Sequence, residues 1–178
     1  MATKKASPRP VFSALTDAES RAVLRRNHVG RLCFLHKGRA DVEPVHYVLG
    51  NAWLFVRSAN GAKLEALAHD PYVAFEVDEI DGTFDWRSVV ARGTVYMLTP
   101  GGARIERQEL DRAVRALRAF IPQTLTIDDP TPFRRSVYGI HIDELTGRMA
   151  EPGTKPSTRR PLRRRAKRVR VPRIPDGF

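Results

Sequence analysis

A chain of 178 residues, 42% of them apolar, is long enough for one domain with a real core, and its single cysteine, Cys33, excludes an internal disulfide or a cysteine-rich zinc site. No run of 18 apolar residues occurs, so no helical membrane span is expected; the opening MATKKASPRP has no apolar segment behind its charges, so it is no secretory signal and the expected location is cytoplasmic. The net charge of +11 sits at the ends: residues 151–178 hold ten basic against two acidic side chains, Met1–Pro10 holds three basic ones, and the body between is neutral.

In chain order, Thr16 caps a helix that Glu19 closes as a capping box, and the helix runs to about Asn27. The period then changes. Val29–Leu35, Val42–Val48 and Ala52–Arg57 read as three strands joined at His36–Arg39 and Leu49–Asn51, an antiparallel meander. A short helix opens at Lys63 and stops at Asp70-Pro71. Tyr72–Val77 is a strand, Asp78–Asp85 an acidic loop, and Trp86–Leu98 a long strand with Gly93 as a bulge or close-approach point. Ala103–Phe120 has helical spacing at Ile105, Leu110, Val114, Leu117 and Phe120. Ile121–Phe133 is a proline-bearing loop, and Arg135–Ile142 is a last strand. Six short antiparallel strands with two or three helices predict a small barrel with helices at its ends, spanning residues 11–150. Residues 1–10 form a basic extension and residues 151–178 a proline-bearing basic tail expected to be disordered.

The stretch with the clearest chemistry is Trp53–Asp70. A strand ends in Arg57-Ser58, a small-residue link follows, and Lys63 stands in the first turn of a helix. Free N–H groups at a helix start bind an anion, and the dipole assists. Arg57, Ser58 and Lys63 add a fork, a hydroxyl and a point charge, which suits a phosphate. The plain alternative is a strand-to-helix connection with a solvated lysine.

The order of parts over about Leu15–Ala150 resembles the pyridoxamine 5′-phosphate oxidase-like family of flavin-binding split β-barrels. Four pieces carry the resemblance: His28–Phe34 after the first helix; Val42-Glu43-Pro44-Val45-His46-Tyr47-Val48; Leu54–Leu64 followed by Asp70-Pro71-Tyr72-Val73-Ala74-Phe75; and Trp86–Gly93. The resemblance implies a homodimer with FMN at the subunit interface, acting on a small molecule as an oxidoreductase. It places Lys63 on the FMN phosphate, with Val56, Arg57 and Ser58 near the phosphate and ribityl chain. Val45, His46 and Tyr47 match the segment beside the isoalloxazine, where backbone makes much of the contact. Trp86, Arg87 and Ser88 match the strand that reaches the cofactor from the partner subunit. Ala62 stands where many relatives carry arginine, and the C-terminal Trp- and Arg-bearing segment of true pyridoxamine-phosphate oxidases is missing. The closer likeness is to the smaller branch that includes nitroimidazole-resistance-type reductases. A deazaflavin coenzyme or haem remains an alternative ligand, as does a non-enzymatic binding module.

Other residues read more plainly. His46 and Tyr47 alternate, so only one of them lines a given pocket. Trp86 either stacks near the ring or fills the barrel edge. Cys33, inside Leu32–Leu35, reads as a buried structural thiol. His28 and His141 have no ligand spacing, and Asp78–Asp85 lacks the pattern of a calcium loop. No catalytic acid or base is singled out, because a flavin carries its own chemistry. The tail clusters Arg163–Arg165 and Lys167–Arg170 suit weak, salt-dependent contact with nucleic-acid phosphates; no aromatic interleaves them for base stacking.

Overall fold

The computed structural model describes residues 9–153. The basic tail and most of the N-terminal extension lie outside the described residues. Seven strands and three helices follow in the order β1 (Val11–Leu15), α1 (Asp17–Arg26), β2 (Val29–His36), β3 (Arg39–Leu49), β4 (Trp53–Ser58), α2 (Ala62–His69), β5 (Tyr72–Gly82), β6 (Asp85–Leu98), α3 (Arg104–Phe120) and β7 (Ser136–Glu151). All pairings are antiparallel. Six strands close a ring, β7-β4-β3-β2-β5-β6 and back to β7, and β1 adds to the outside edge of β7. The expected split barrel is therefore present, with one short strand more than the sequence announced.

Three boundaries differ from expectation, each for a physical reason. The last strand runs to Glu151, because β6 is long enough to template it from Val137 to Ala150. That leaves the far half of β7 an open edge beyond β4, and β1 fills it from Gly147 to Glu151. The acidic loop is instead a hairpin, since β5 continues to Gly82. Its first two acids, and Glu76 before them, are matched by cations: Arg31 meets Asp78 at 2.7 Å and Glu76 at 3.1 Å, and Arg26 meets Glu79 at 2.9 Å. Neutralised across strands, these carboxylates tolerate a sheet. The hydrogen bond from Arg26 holds the Glu79 carboxyl below its ordinary range. Cys33 is half-buried on the outer face of β2 rather than in the core; burial, with the Glu76 charge nearby, raises its thiol pKa.

The capping box forms as read, with Thr16 N–H donating to Glu19 Oε2 at 2.7 Å and Glu19 N–H to Thr16 Oγ1 at 3.3 Å. Alternation sorts β2, β3 and β5 into inward Leu32, Phe34, Val45, Tyr47, Val73, Phe75 and Val77, all buried. A second, smaller core lies outside the barrel, where α3 lays Ala113 and Leu117 on Phe55, Leu98 and Val137. Gly93 marks the register shift of β6 against β7, and a Cβ there would sit 2.0 Å from the His141 carbonyl oxygen. Among the described residues no helix is long and apolar enough to cross a membrane.

Candidate functional site

The seam between β3 and β4 is only three pairs long: Tyr47 opposite Val56, Val48 opposite Phe55, and Leu49 opposite Leu54. Beyond Tyr47 the two strands part. Continued pairing would join His46 to Arg57 and Val45 to Ser58, and it does not occur. Each strand keeps its other neighbour, β3 with β2 through Val45 and His46, β4 with β7 through Arg57 and Ser58. Backbone groups alternate in direction along a strand: Tyr47 N–H donates to the His28 carbonyl on the β2 side, and the Ala52 carbonyl accepts from Ile142 on the β7 side. The gap therefore presents the backbone groups of His46 and Arg57, which the ladder leaves unused, while those of Val45 and Ser58 face β2 and β7. Unpaired strand edges seek partners.

The chain turns out of β4 straight into α2. Gly61 caps it with no side chain, and a Cβ there would meet nothing within 4 Å. The Leu64 and Glu65 N–H groups donate back to the Gly61 carbonyl at 2.9 and 3.2 Å. The Ala62 and Lys63 N–H groups have no acceptor among the described residues. Lys63 Nζ lies 2.8 Å from Glu43 Oε2, with 16% of the lysine side chain exposed. The Tyr138 hydroxyl, on a wholly buried side chain, has no hydrogen-bond partner. Burial, with the Glu43 charge, raises its pKa, so it stays a neutral donor.

A cleft of about 210 Å³ opens on the outer side of β3 and β4. His46, Tyr47, Val48 and Arg57 form its floor; Leu117 and Phe120 of α3, and the segment from Ile121 to Arg134, form its wall. His46 points outward and Tyr47 inward, as alternation requires. Tyr47 contributes backbone to the cleft, while its hydroxyl donates to the Leu24 carbonyl at 2.7 Å inside the barrel. His28 stacks under Phe120 at 4.0 Å, and its Nδ1 is buried without a partner.

Arg57 is used differently from the phosphate fork expected of it. Its guanidinium is nearly buried and meets Asp129 at 2.6 Å, the Arg134 carbonyl at 2.9 Å and the Thr131 carbonyl at 3.2 Å. It thus fastens the cleft wall to β4, and its charge is already matched. Burial alone would raise the Asp129 pKa, but N–H donors from Thr131 and Leu125 and the Arg57 guanidinium outweigh it and hold the carboxyl down at about 2.

The structure gathers Val45, His46, Tyr47, Val56, Arg57, Ser58 and Lys63 around one opening of the barrel. Trp86, Arg87 and Ser88 lie elsewhere, on β6, with β2 and β5 between that strand and β3. Ser88 Oγ donates to Glu76 Oε1 at 2.9 Å, and Trp86 packs on Phe12 at 6.3 Å, in the manner of a barrel-edge aromatic. Sequence reasoning missed the cleft wall and Glu43. Glu43 had a usable signal, since it shares its face of β3 with Val45 and Tyr47. The wall had little, because Thr124, Asp129 and Thr131 acquire meaning only when Arg57 reaches them.

The sequence matches the family described as pyridoxamine 5′-phosphate oxidase over residues 16–149. No curated protein matches the chain. Among solved structures it resembles an FAD-binding protein from Mesorhizobium loti, at 26% identity and TM-score 0.63, covering 80% of this chain and 99% of that one. It also resembles an FAD-binding protein from Mycobacterium smegmatis, at 20% identity and TM-score 0.56, covering 77% of this chain and 99% of that one. A haem-binding protein from the same organism matches at 20% identity and TM-score 0.58, over 76% of this chain and 57% of that one. The last two likenesses concern the fold. With the family match spanning barrel, gap and α2 together, the chain belongs to the pyridoxamine 5′-phosphate oxidase family.

Proposed function

We propose that the protein is a homodimeric flavin-dependent oxidoreductase that binds FMN at the β3–β4 gap and a small molecule in the adjoining cleft. The observation that carries this reading is the parting of β3 and β4, which leaves backbone donors and acceptors pointing into a gap that ends at the open start of α2. The residues there fit the cofactor: two N–H groups without acceptors among the described residues, open space at Gly61 and a lysine in the first turn suit a phosphate and its linker.

A flavin, when bound, supplies hydride or electron transfer at its N5 position. The chain's own part is binding and placement. Lys63 and the α2 start hold the phosphate end. The Val45–Tyr47 stretch would stand beside the ring, with the backbone of His46 as the part free to meet it, since Tyr47 N–H donates to the His28 carbonyl. Leu117, Phe120 and Ile121 keep the cleft apolar and exclude water. His46 and Arg134 give it two polar heads, and Arg134 has no carboxylate partner among the described residues. That lining favours a flat, partly apolar substrate.

The dimer is supported by the outer faces of β2, β3 and β5, where Val29, Leu35, Val42, Tyr72 and Ile80 are exposed on adjacent strands. In a dimer through this face, Ser88 and its neighbours on β6 would stand at the interface, which would reconcile their distance from the gap within one chain. The same architecture accommodates a deazaflavin, and the tail adds a proposed, salt-dependent contact with nucleic acid. The deciding experiment is the absorbance spectrum of purified protein before and after incubation with FMN and gel filtration. Retained bands near those of free flavin are expected. A colourless protein that takes up no flavin refutes the reading, and a haem band in place of a flavin band replaces it.

A further inference from the structure

We propose that Glu43 sets the charge that the start of α2 accepts, so that the site holds the terminal phosphate dianion of FMN less tightly than Lys63 alone would and discriminates less against a singly charged, doubly esterified or bridging phosphate. The inference rests on the flavin reading above and concerns which member of that ligand class fits. Among the described residues, Lys63 is the cation carried in the first turn of α2, and Glu43 already matches it at 2.8 Å. The other cation foreseen there, Arg57, is bound to Asp129. Position 62, the next residue that could supply one, is alanine. The remaining donors at the start of α2 are neutral: the Ala62 and Lys63 N–H groups.

A terminal phosphate carries about −1.5 to −2 charges at neutral pH, and a phosphate within a diester or diphosphate linkage carries about −1. Neutral N–H donors and the dipole of a two-turn helix offset roughly half a charge. About half of the first negative charge is therefore met, and the second stands against the Glu43 carboxylate. The Glu43 side chain is 40% exposed, so water screens part of its charge, and its effect on the site comes through the ion pair with the nearly buried Lys63. Glu43 shares a face of β3 with buried Val45 and Tyr47, and its field reaches the buried Tyr138 hydroxyl. Removing its charge frees Lys63 for the phosphate and removes the repulsion together.

The test is titration of riboflavin, FMN and FAD into the full chain and into Glu43→Gln, read by flavin fluorescence. Riboflavin has no phosphate and reports the ring alone. We expect Glu43→Gln to tighten FMN about tenfold, FAD about threefold or less, and riboflavin by less than twofold. Glu43→Asp, which keeps the charge, should leave the ratio of FMN to riboflavin affinity as in the parent. It carries the comparison if Glu43→Gln fails to fold. Equal gains for FMN and riboflavin, equal gains for FMN and FAD, a selective loss for FMN in Glu43→Gln, or a changed ratio in Glu43→Asp each overturn the proposal while flavin binding stands. Failure of all three flavins to bind every protein overturns the flavin reading, and this proposal with it.

Discussion

Tyr47→Phe separates what this residue does for the fold from what its backbone does for the site. The side chain is wholly buried, packs edge-on to Phe75 at 4.9 Å, and donates its hydroxyl to the Leu24 carbonyl at 2.7 Å. Leu24 is in the last turn of α1, where carbonyls lack helical partners, so the hydroxyl acts as a C-terminal cap supplied from the barrel. Phenylalanine keeps the packing and leaves a buried carbonyl unmatched, a loss of about 1–3 kcal/mol. Near the midpoint, a chain of this size loses roughly 2–4 °C per kcal/mol, so a central loss of about 2 kcal/mol lowers Tm by roughly 4–8 °C. The assay is differential scanning calorimetry on both proteins, with a flavin titration in parallel. Affinity should hold within about twofold, because at this position only the backbone meets the cleft. A Tm within 1 °C of the parent would refute the capping argument; a tenfold loss of flavin with an unchanged Tm would place the hydroxyl, not the backbone, in the site.

Lys63→Ala should weaken FMN by about 1–3 kcal/mol and leave riboflavin unchanged, since the contact removed is to the phosphate; equal losses in calorimetric titration would mean the phosphate lies elsewhere. Asp129 ionises at about 2 in the fold against an ordinary 3.8, so its contribution is complete above about pH 4 and lost as pH falls through 2. Asp129→Asn should flatten that part of a plot of urea midpoint against pH, and parallel curves for the two proteins would count against the clasp with Arg57. Gly93→Ala drives a methyl onto the His141 carbonyl and should lower stability by about 3 kcal/mol in urea unfolding, where a neutral outcome would mean the β6–β7 bulge can shift. Sedimentation should give a mass twice the 20.1 kDa chain, and a monomer at micromolar concentration would leave Ser88 without a site to join.

What the sequence disclosed was set by the range of the interactions involved. The capping box and the alternation of β2, β3 and β5 are local, and each was readable from residues a few positions apart. The phosphate-like link was also local, and Lys63 stands at the first turn of α2 as spacing implied. Strand β1 was hidden because its five residues gain strand character only from the overhang of β7, which depends on the unequal lengths of β4 and β6. The acidic run at Asp78 read as loop because its neutralising partners, Arg26 and Arg31, lie about fifty positions away. Arg57 was found as a residue and misjudged in its use for the same reason, since Asp129 is 72 positions downstream.

The same comparison explains why barrel and site come from one feature rather than two. A six-stranded ring with every seam fully paired would bury all its strand edges and leave a ligand only side chains to bind. Here two seams are three pairs long, β2–β5 and β3–β4; at the second, the strands on either side keep their places because β2 and β7 still hold them. The opening is thus a fixed pair of backbone positions, His46 and Arg57, and of the two flanking side chains Val45 is core while His46 faces outward. Charge is then tuned by the few side chains that reach it, Lys63 with Glu43 at one end and Arg57 with Asp129 at the other. Both cations arrive already paired, so under the proposed reading a ligand would reach either one only as far as its carboxylate gives it up. Glu43, partly exposed and on a strand free of β4 at that point, can yield; Asp129, buried and bound by two backbone N–H groups, cannot. It follows that substitutions at Glu43 should change which ligand binds, whereas substitutions at Asp129 should change whether the cleft exists at all.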